Sequence, residues 1–221
     1  MRMWSSGWWG AGALALAAGG ALLVPGAANR AADHLDPPGR TDPAVDTTPD
    51  APADIADVYA WYGADSVRLA LTFAGPSVGS QPGFYDRDVL YKILVSTAPP
   101  DDTAEVVIKV RFGAGTRPNE FGVRYEGIPG VTGAIEGPVE TLLQKDGVKA
   151  FAGLVDDPFY FDLLGFRETR STGSIRFNNQ RIFFTGQNDT GFVLEIPRSR
   201  FAGGTGTINV WSTSARFGGQ K

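Results

Sequence analysis

The sequence predicts an all-β protein in which an antiparallel meander forms a β-sandwich, with a closed barrel as the alternative architecture. Three observations lead to this prediction. Apolar and polar residues alternate with a period of two along most of the chain, turn residues separate the alternating runs, and only one segment has a helical period. Because no helices separate the strands, a parallel α/β fold is disfavoured.

The first predicted hairpin joins residues 57–62 to the alternating run 67–73 through Gly63-Ala64-Asp65. Turns are predicted at 99–102 and at Asp146-Gly147, where proline, aspartate and glycine cluster. The remaining predicted strands lie at 89–95, 106–112, 121–125, 175–177, 181–185, 192–196 and 208–212. The clearest amphipathic strand is 106–112, whose apolar residues alternate with charged ones.

One short helix is predicted near 158–166, the only place with a convincing helical period. Pro158 suits the first turn of a helix, and Asp156-Asp157 before it are typical capping residues. The alternative for this pair is a general acid and base with perturbed pKa values. The neighbouring aromatic residues could stack on a ring-shaped ligand, although such residues beside a sheet mostly belong to the core.

The N-terminus is typical of a secretory signal peptide, because no residue from Gly7 to Ala28 is charged and the stretch is rich in Ala, Gly and Leu. Gly26 and Ala28 satisfy the small-x-small cleavage rule. The alternative is an uncleaved membrane anchor, since about 20 apolar residues span a bilayer. We therefore expect an exported protein, periplasmic or extracellular. The predicted divisions are a signal peptide at 1–28, an extended acidic, proline-rich arm at 29–53 and a single β-rich domain at 54–221.

The charge balance argues against a nucleic-acid partner, because the full chain has a net charge of −4. The chain contains no cysteine, which excludes disulfides and thiolate metal sites. Residues 29–60 carry seven Asp against two Arg, whereas residues 163–221 carry eight basic against three acidic residues. We expect the acidic arm to lie across the basic C-terminal part of the fold; the alternative is a solvated arm.

Four segments together resemble the bacterial family known as domain of unknown function 4331, in the same order and across essentially the whole mature chain. They are 32–34, 54–61, 151–163, and 184–197 with Val210-Trp211 after it. The most specific stretch is Asp156-Asp157-Pro158-Phe159-Tyr160-Phe161-Asp162-Leu163. The chain departs from the family pattern in Leu35-Asp36-Pro37 after the histidine and in Asn178-Asn179-Gln180, where the family tends to have an aspartate. The resemblance implies an exported bacterial protein and no established activity.

A candidate cation site combines His34 and Asp36 of the arm with Asp54 and Asp57 at the start of the first strand. Calcium prefers several oxygen ligands from loops of this kind. The alternative is structural, in that Asp54 caps the strand entry, Asp57 bonds to a turn and His34 pins the arm. Because His34 is the only histidine, a Ser-His-Asp triad is disfavoured.

Further candidate binding residues lie in the acidic groups and in the segments that carry the resemblance: Asp33, Asp156, Asp157, Asp162 and Asn188. The favoured function is a non-enzymatic extracytoplasmic module that binds a protein, a small ligand or a cation, with the arm as part of the site. One alternative is a metal-assisted enzyme that uses His34 and nearby aspartates. Another is a membrane-tethered accessory subunit, which requires that residues 1–28 be retained.

Overall fold

The computed structural model describes residues 50–201 and 206–218, and two antiparallel five-stranded sheets pack against each other in it. Neither sheet closes into a barrel, so the predicted sandwich is confirmed. One helix, α1 (Leu163–Thr172), lies between the eighth and ninth strands. The strands are β1 (Ile55–Tyr62), β2 (Ser66–Val78), β3 (Val89–Ser96), β4 (Val106–Ala114), β5 (Phe121–Glu126), β6 (Ala134–Pro138), β7 (Leu143–Lys145), β8 (Val148–Asp156), β9 (Gln187–Pro197) and β10 (Asn209–Arg216).

The strand order departs from a simple meander at the C-terminal strands. Sheet one has the order β1-β2-β9-β8-β7, and sheet two has the order β10-β3-β4-β5-β6. Strands β3 to β6 follow one another as a meander, whereas β9 lies between β2 and β8 and β10 lies beside β3. The centre of sheet one therefore depends on pairs that are distant in sequence, such as Leu69 with Leu194.

The core lies between the two sheets, where alternate residues of each strand point inward. The predicted apolar sets of β2 and β3 are buried there, and so is that of β4 except for Val106, which is partly buried. Phe73, Tyr91 and Phe192 form its aromatic centre, with ring centroids 4.2 Å apart for Phe73 and Tyr91 and 6.4 Å apart for Phe73 and Phe192. The Tyr125 hydroxyl of sheet two donates to the Phe151 carbonyl of sheet one over 2.8 Å, which links the layers.

The predicted hairpin turns are confirmed. Asp146 and Gly147 both have positive φ, 50° and 76°, as the two central residues of a type I′ turn require. They join β7 to β8, a segment in which the sequence pattern predicts no strand. The Gly63 N–H donates to the Ser66 carbonyl over 2.8 Å and closes the β1–β2 turn.

The segment between β8 and β9 differs from the prediction. The helix begins at Leu163 and not at Pro158, and Asp162, not Asp156 or Asp157, is its N-cap. The predicted strands at 175–177 and 181–185 are wrong, since these residues lie in loops and turns. Aromatic residues of these stretches pack on Phe159 and Phe161, which precede the helix. In the described ranges no helix is long and apolar enough to cross a bilayer.

Residues 50–53, assigned to the arm from the sequence, form a 3-10 turn at Ala51–Ala53 beside sheet two. The Ser214 hydroxyl donates to the Ala53 carbonyl over 2.6 Å, and the Tyr91 hydroxyl donates to the Pro52 carbonyl. Asp50 forms an ion pair with Arg216, which also contacts Asp86 at 2.9 Å. This pair joins an aspartate of the arm to the basic C-terminal part. Residues 1–49, with the predicted signal peptide and most of the arm, lie outside the described residues.

We expect Arg216→Gln to destabilise the fold by about 2 kcal/mol, because it leaves two carboxylates without their cation in a place that is largely shielded from water. The Arg216 side chain is only 10% exposed. The measurement is urea unfolding. Arg117→Gln is the matched control, since Arg117 is 80% exposed and its pair with Glu120 should contribute little to stability. Equal effects of the two substitutions would contradict this role for Arg216.

Candidate functional site

The outer face of sheet one carries a row of paired residues made of one aspartate, one threonine and two glycines. Thr72 of β2 pairs with Asp57 of β1 on one side and with Gly191 of β9 on the other, and Gly191 pairs with Gly153 of β8. Directly paired residues project from the same face of a sheet, so these four positions form one row. Thr72 is 4% exposed, and its Oγ1 has no hydrogen-bond partner among the described residues.

Three carboxylates surround a single tyrosine beside this row. The Tyr59 hydroxyl donates to Asp57 Oδ2 over 2.6 Å. Burial raises the pKa of Tyr59 well above its usual value, and the hydrogen bond to Asp57 and the negative charges of Asp57, Asp157 and Asp189 raise it further. All three charges act on the same hydroxyl, so strands β1 and β9 and the end of β8 bring three carboxylates near Tyr59.

Asp189 is the buried member of this acidic group. It is 0% exposed and projects toward the irregularity in β2 between Phe73 and Ser77. A Cβ atom on Gly75 would lie 1.6 Å from Asp189 Oδ1, far inside any possible contact distance. The absence of a side chain at Gly75 is therefore what makes room for the Asp189 carboxylate.

A pocket of about 310 Å³ opens where β8 leaves the sheet, next to the acidic group. Its walls are mainly apolar and aromatic, and Asp157 is common to the pocket and to the acidic group. The Asp157 N–H donates to the Gln187 carbonyl and the Phe159 N–H donates to Asp157 Oδ1, both over 2.9 Å, so the carboxylate is fixed at the pocket edge. The principal lining residues are Asp156, Asp157, Phe159, Tyr160, Ile182 and Phe184.

Asp162 organises the loop that forms the far side of the pocket. Its carboxylate caps α1 through the Gly165 N–H at 2.9 Å, accepts from the Asn178 N–H at 2.8 Å and pairs with Arg181 at 2.6 Å. The hydrogen bond from Arg181 and the two backbone N–H groups lower the pKa of Asp162 to about 2, against desolvation, which raises it. Asp162, one of the sequence candidates, therefore holds the loop in shape, and the pocket is lined by other residues.

We expect the melting temperature of the wild type to fall more steeply between pH 4 and pH 2 than that of Asp162→Asn. The folded pKa of Asp162 lies below the ordinary 3.8, so its contribution to stability is complete above about pH 4 and is lost as the pH falls toward about 2. Thermal unfolding of both proteins across this range is the measurement. Parallel pH profiles would show that Asp162 does not stabilise the loop through its charge.

The predicted cation site lies only partly within the described residues. Asp54 is buried at the start of β1, and its carbonyl accepts from the Ala74 N–H over 2.9 Å. Asp57 belongs to the acidic group, where it accepts from the Tyr59 hydroxyl over 2.6 Å. His34, Asp36 and Asp33 lie outside the described residues. Within the described ranges, no three His, Cys, Asp or Glu side chains are grouped closely enough to hold a metal ion.

The structure brings Asp57 and Asp157 together, although the sequence pattern places them in different candidate sites. Asn188 pairs with Ser77 and Asp156 at the start of β9. Sequence reasoning missed Tyr59, Thr72 and Asp189. The period of two in β1 and β9 places Tyr59 with Asp57 and Asp189 with Gly191 on the outer face, but only the pairing of β9 between β2 and β8 brings them together.

Comparison of the chain with models of known protein families, with curated proteins and with solved structures found no match in any of the three.

Proposed function

We propose that the protein is an exported, non-enzymatic binding module whose pocket at the end of β8 takes a positively charged group on an apolar stem. The observation that carries the proposal is the position of Asp157, which is shared by an aromatic pocket and a group of three carboxylates. Aromatic walls favour an apolar body, and the negative potential favours an amine, guanidinium or amidinium head.

The size of the pocket fits this class of ligand. About 310 Å³ lies at the lower end of the volumes that ligand pockets show, which suits a single side chain or a small aromatic cation and not a large cofactor. An arginine or lysine of a protein partner and a free small amine share this chemistry. The uncharged stretch from Gly7 to Ala28 and the resemblance to domain of unknown function 4331 support the exported location.

We expect the full-length protein to bind benzamidine, an aromatic amidinium, and to bind benzyl alcohol, a neutral ligand of similar shape, at least about tenfold more weakly. Titration calorimetry or chemical-shift titration measures both affinities. Asp157→Asn should weaken benzamidine binding by about tenfold, or about 1.4 kcal/mol, because it removes a charge but keeps the oxygen that accepts from the Phe159 N–H.

The control variant is Asp101→Asn, which changes an exposed aspartate in the β3–β4 turn and should leave the affinity unchanged. A short arginine peptide that binds more tightly than benzamidine would indicate a protein partner as the source of the cation. Equal binding of benzyl alcohol and benzamidine, or no effect of Asp157→Asn, would overturn the proposal.

A further inference from the structure

The loop after α1 exposes several large apolar side chains at its surface. Ile175 is 84% exposed and Phe177 is 49% exposed, and Leu164 and Phe166 of α1 are 42% and 36% exposed. Single exposed apolar residues are ordinary on protein surfaces, whereas a contiguous group of them marks an interaction site.

The aromatic side chains of this group are contiguous, and Leu164 and Ile175 are their close neighbours in the chain. The Phe166 and Phe177 rings have centroids 6.5 Å apart, and Phe161 beneath them lies 5.6 Å from Phe166 and 6.0 Å from Phe177. The Arg170 guanidinium lies over the Phe166 ring, 5.8 Å from its centroid. We call Leu164, Phe166, Ile175 and Phe177, together with Arg170 and Arg176, the aromatic–arginine surface.

The backbone holds this surface in its exposed conformation. The Thr169 hydroxyl accepts from the Arg176 N–H over 2.9 Å, and Asp162 accepts from the Asn178 N–H over 2.8 Å, so the loop is tied to α1 and its N-cap between Ile175 and Phe177 and directly after Phe177. Gly173 ends the helix with φ of 68°, which turns the chain sharply before Ile175. The side chains are thus fixed outward by polar contacts at their base.

The charged residues around the same surface are mostly arginines, which favours a negatively charged partner. Arg167, Arg170 and Arg176 are exposed around the apolar side chains, and Glu168 is the acidic residue among them. Arginine at the rim of protruding aromatic and aliphatic side chains is the arrangement that peripheral proteins use at the boundary of lipid headgroups and acyl chains. A fluid headgroup layer can accept a convex tip such as Ile175 without a preformed groove.

We propose that the aromatic–arginine surface docks on an anionic lipid surface, with Ile175 and Phe177 inserted at the headgroup level and Arg170 and Arg176 paired with lipid phosphates. This inference uses none of the carboxylates of the pocket and stands independently of the ligand proposed above. It gives the module two faces, one acidic and one basic, at the same end of sheet one.

The test uses the absence of cysteine from the chain, which allows a single label to be placed. Ile175→Cys in the full chain, labelled with acrylodan, reports the polarity at the tip of the surface. Phe217→Cys is the matched control, because Phe217 is 85% exposed and lies outside the surface. The probes are vesicles of phosphatidylglycerol and vesicles of phosphatidylcholine.

We expect a blue shift of the label at position 175 with phosphatidylglycerol and none with phosphatidylcholine, with no shift at position 217. Arg176→Gln should weaken the interaction about fivefold, and about 1 M NaCl should reverse it, whereas Arg198→Gln, an exposed arginine outside the surface, should change little. No shift with either lipid would overturn the proposal and leave an acidic protein as the partner. Equal shifts with both lipids, or at both positions, would also overturn it.

Discussion

Gly75→Ala should destabilise the protein by about 3 kcal/mol. The added methyl group would overlap the buried Asp189 carboxylate, whose Oδ1 lies 1.6 Å from the position of the new Cβ and whose Cγ lies 2.5 Å from it. Overpacking of a closed site costs about 1–3 kcal/mol, occasionally more, because the backbone must move. Asp189 is completely buried, so its carboxylate has little space to move into. Denaturant unfolding at neutral pH measures the effect.

Gly113→Ala is the control for this substitution, because a Cβ at Gly113 in β4 has no atom within 4 Å. It should change the stability by less than about 0.5 kcal/mol. The double variant Gly75→Ala with Asp189→Ala should be more stable than the sum of the single effects predicts, by about 1 kcal/mol or more, because the second substitution removes the overlapping group. Additive effects would show that the two residues do not compete for the same space.

Phe192→Ala should cost about 4 kcal/mol, which exceeds the effect that we expect from Gly75→Ala. Phe192 is 0% exposed at the centre of β9, and its ring lies 6.1 Å from that of Tyr91 and 6.2 Å from that of Tyr125, both in sheet two. Truncation removes apolar contacts with both layers and leaves a cavity that the paired sheets cannot close. Urea unfolding measures the loss. We expect the midpoint to fall to a lower urea concentration while the m-value stays unchanged.

Phe217→Ala tests the specificity of that effect, since it removes the same side chain from a site that is 85% exposed. Its expected cost is below about 0.5 kcal/mol. A loss of less than about 2 kcal/mol for Phe192→Ala would mean that the layers relax into the space and that the aromatic centre is loosely packed.

The strands of sheet two show why much of the fold could be predicted. From Val89 to Val95 in β3 and from Ile108 to Phe112 in β4 every second residue is buried and the residues between are more accessible, so the alternation in the sequence corresponds to one inward face. The aromatic residues between β8 and β9 follow the same alternation for another reason. Phe159, Phe161 and Phe177 pack on one another in a loop, and the pattern does not reveal whether a residue packs on a strand or on a loop.

The candidate site was less predictable because its parts come from distant segments. Asp157 and Asp57 could be chosen as acidic residues near element ends, but their common partner Tyr59 becomes evident only after β9 is placed between β2 and β8. The helix start differs from the prediction for a similar reason. Asp156 and Asp157 suit a helix N-terminus, but Asp162 is the aspartate that meets Arg181, and this pair fixes where α1 begins.

The central place of β9 in sheet one has a consequence for how the chain matures. The hairpins β1–β2 and β7–β8 both pair with β9, which is synthesised after almost all of the other strands. A growing chain therefore cannot complete this sheet until residues 187–197 have emerged, and such long-range pairing is slow to form. For a protein that we propose to be exported, a sheet that forms late is compatible with translocation of the unfolded chain.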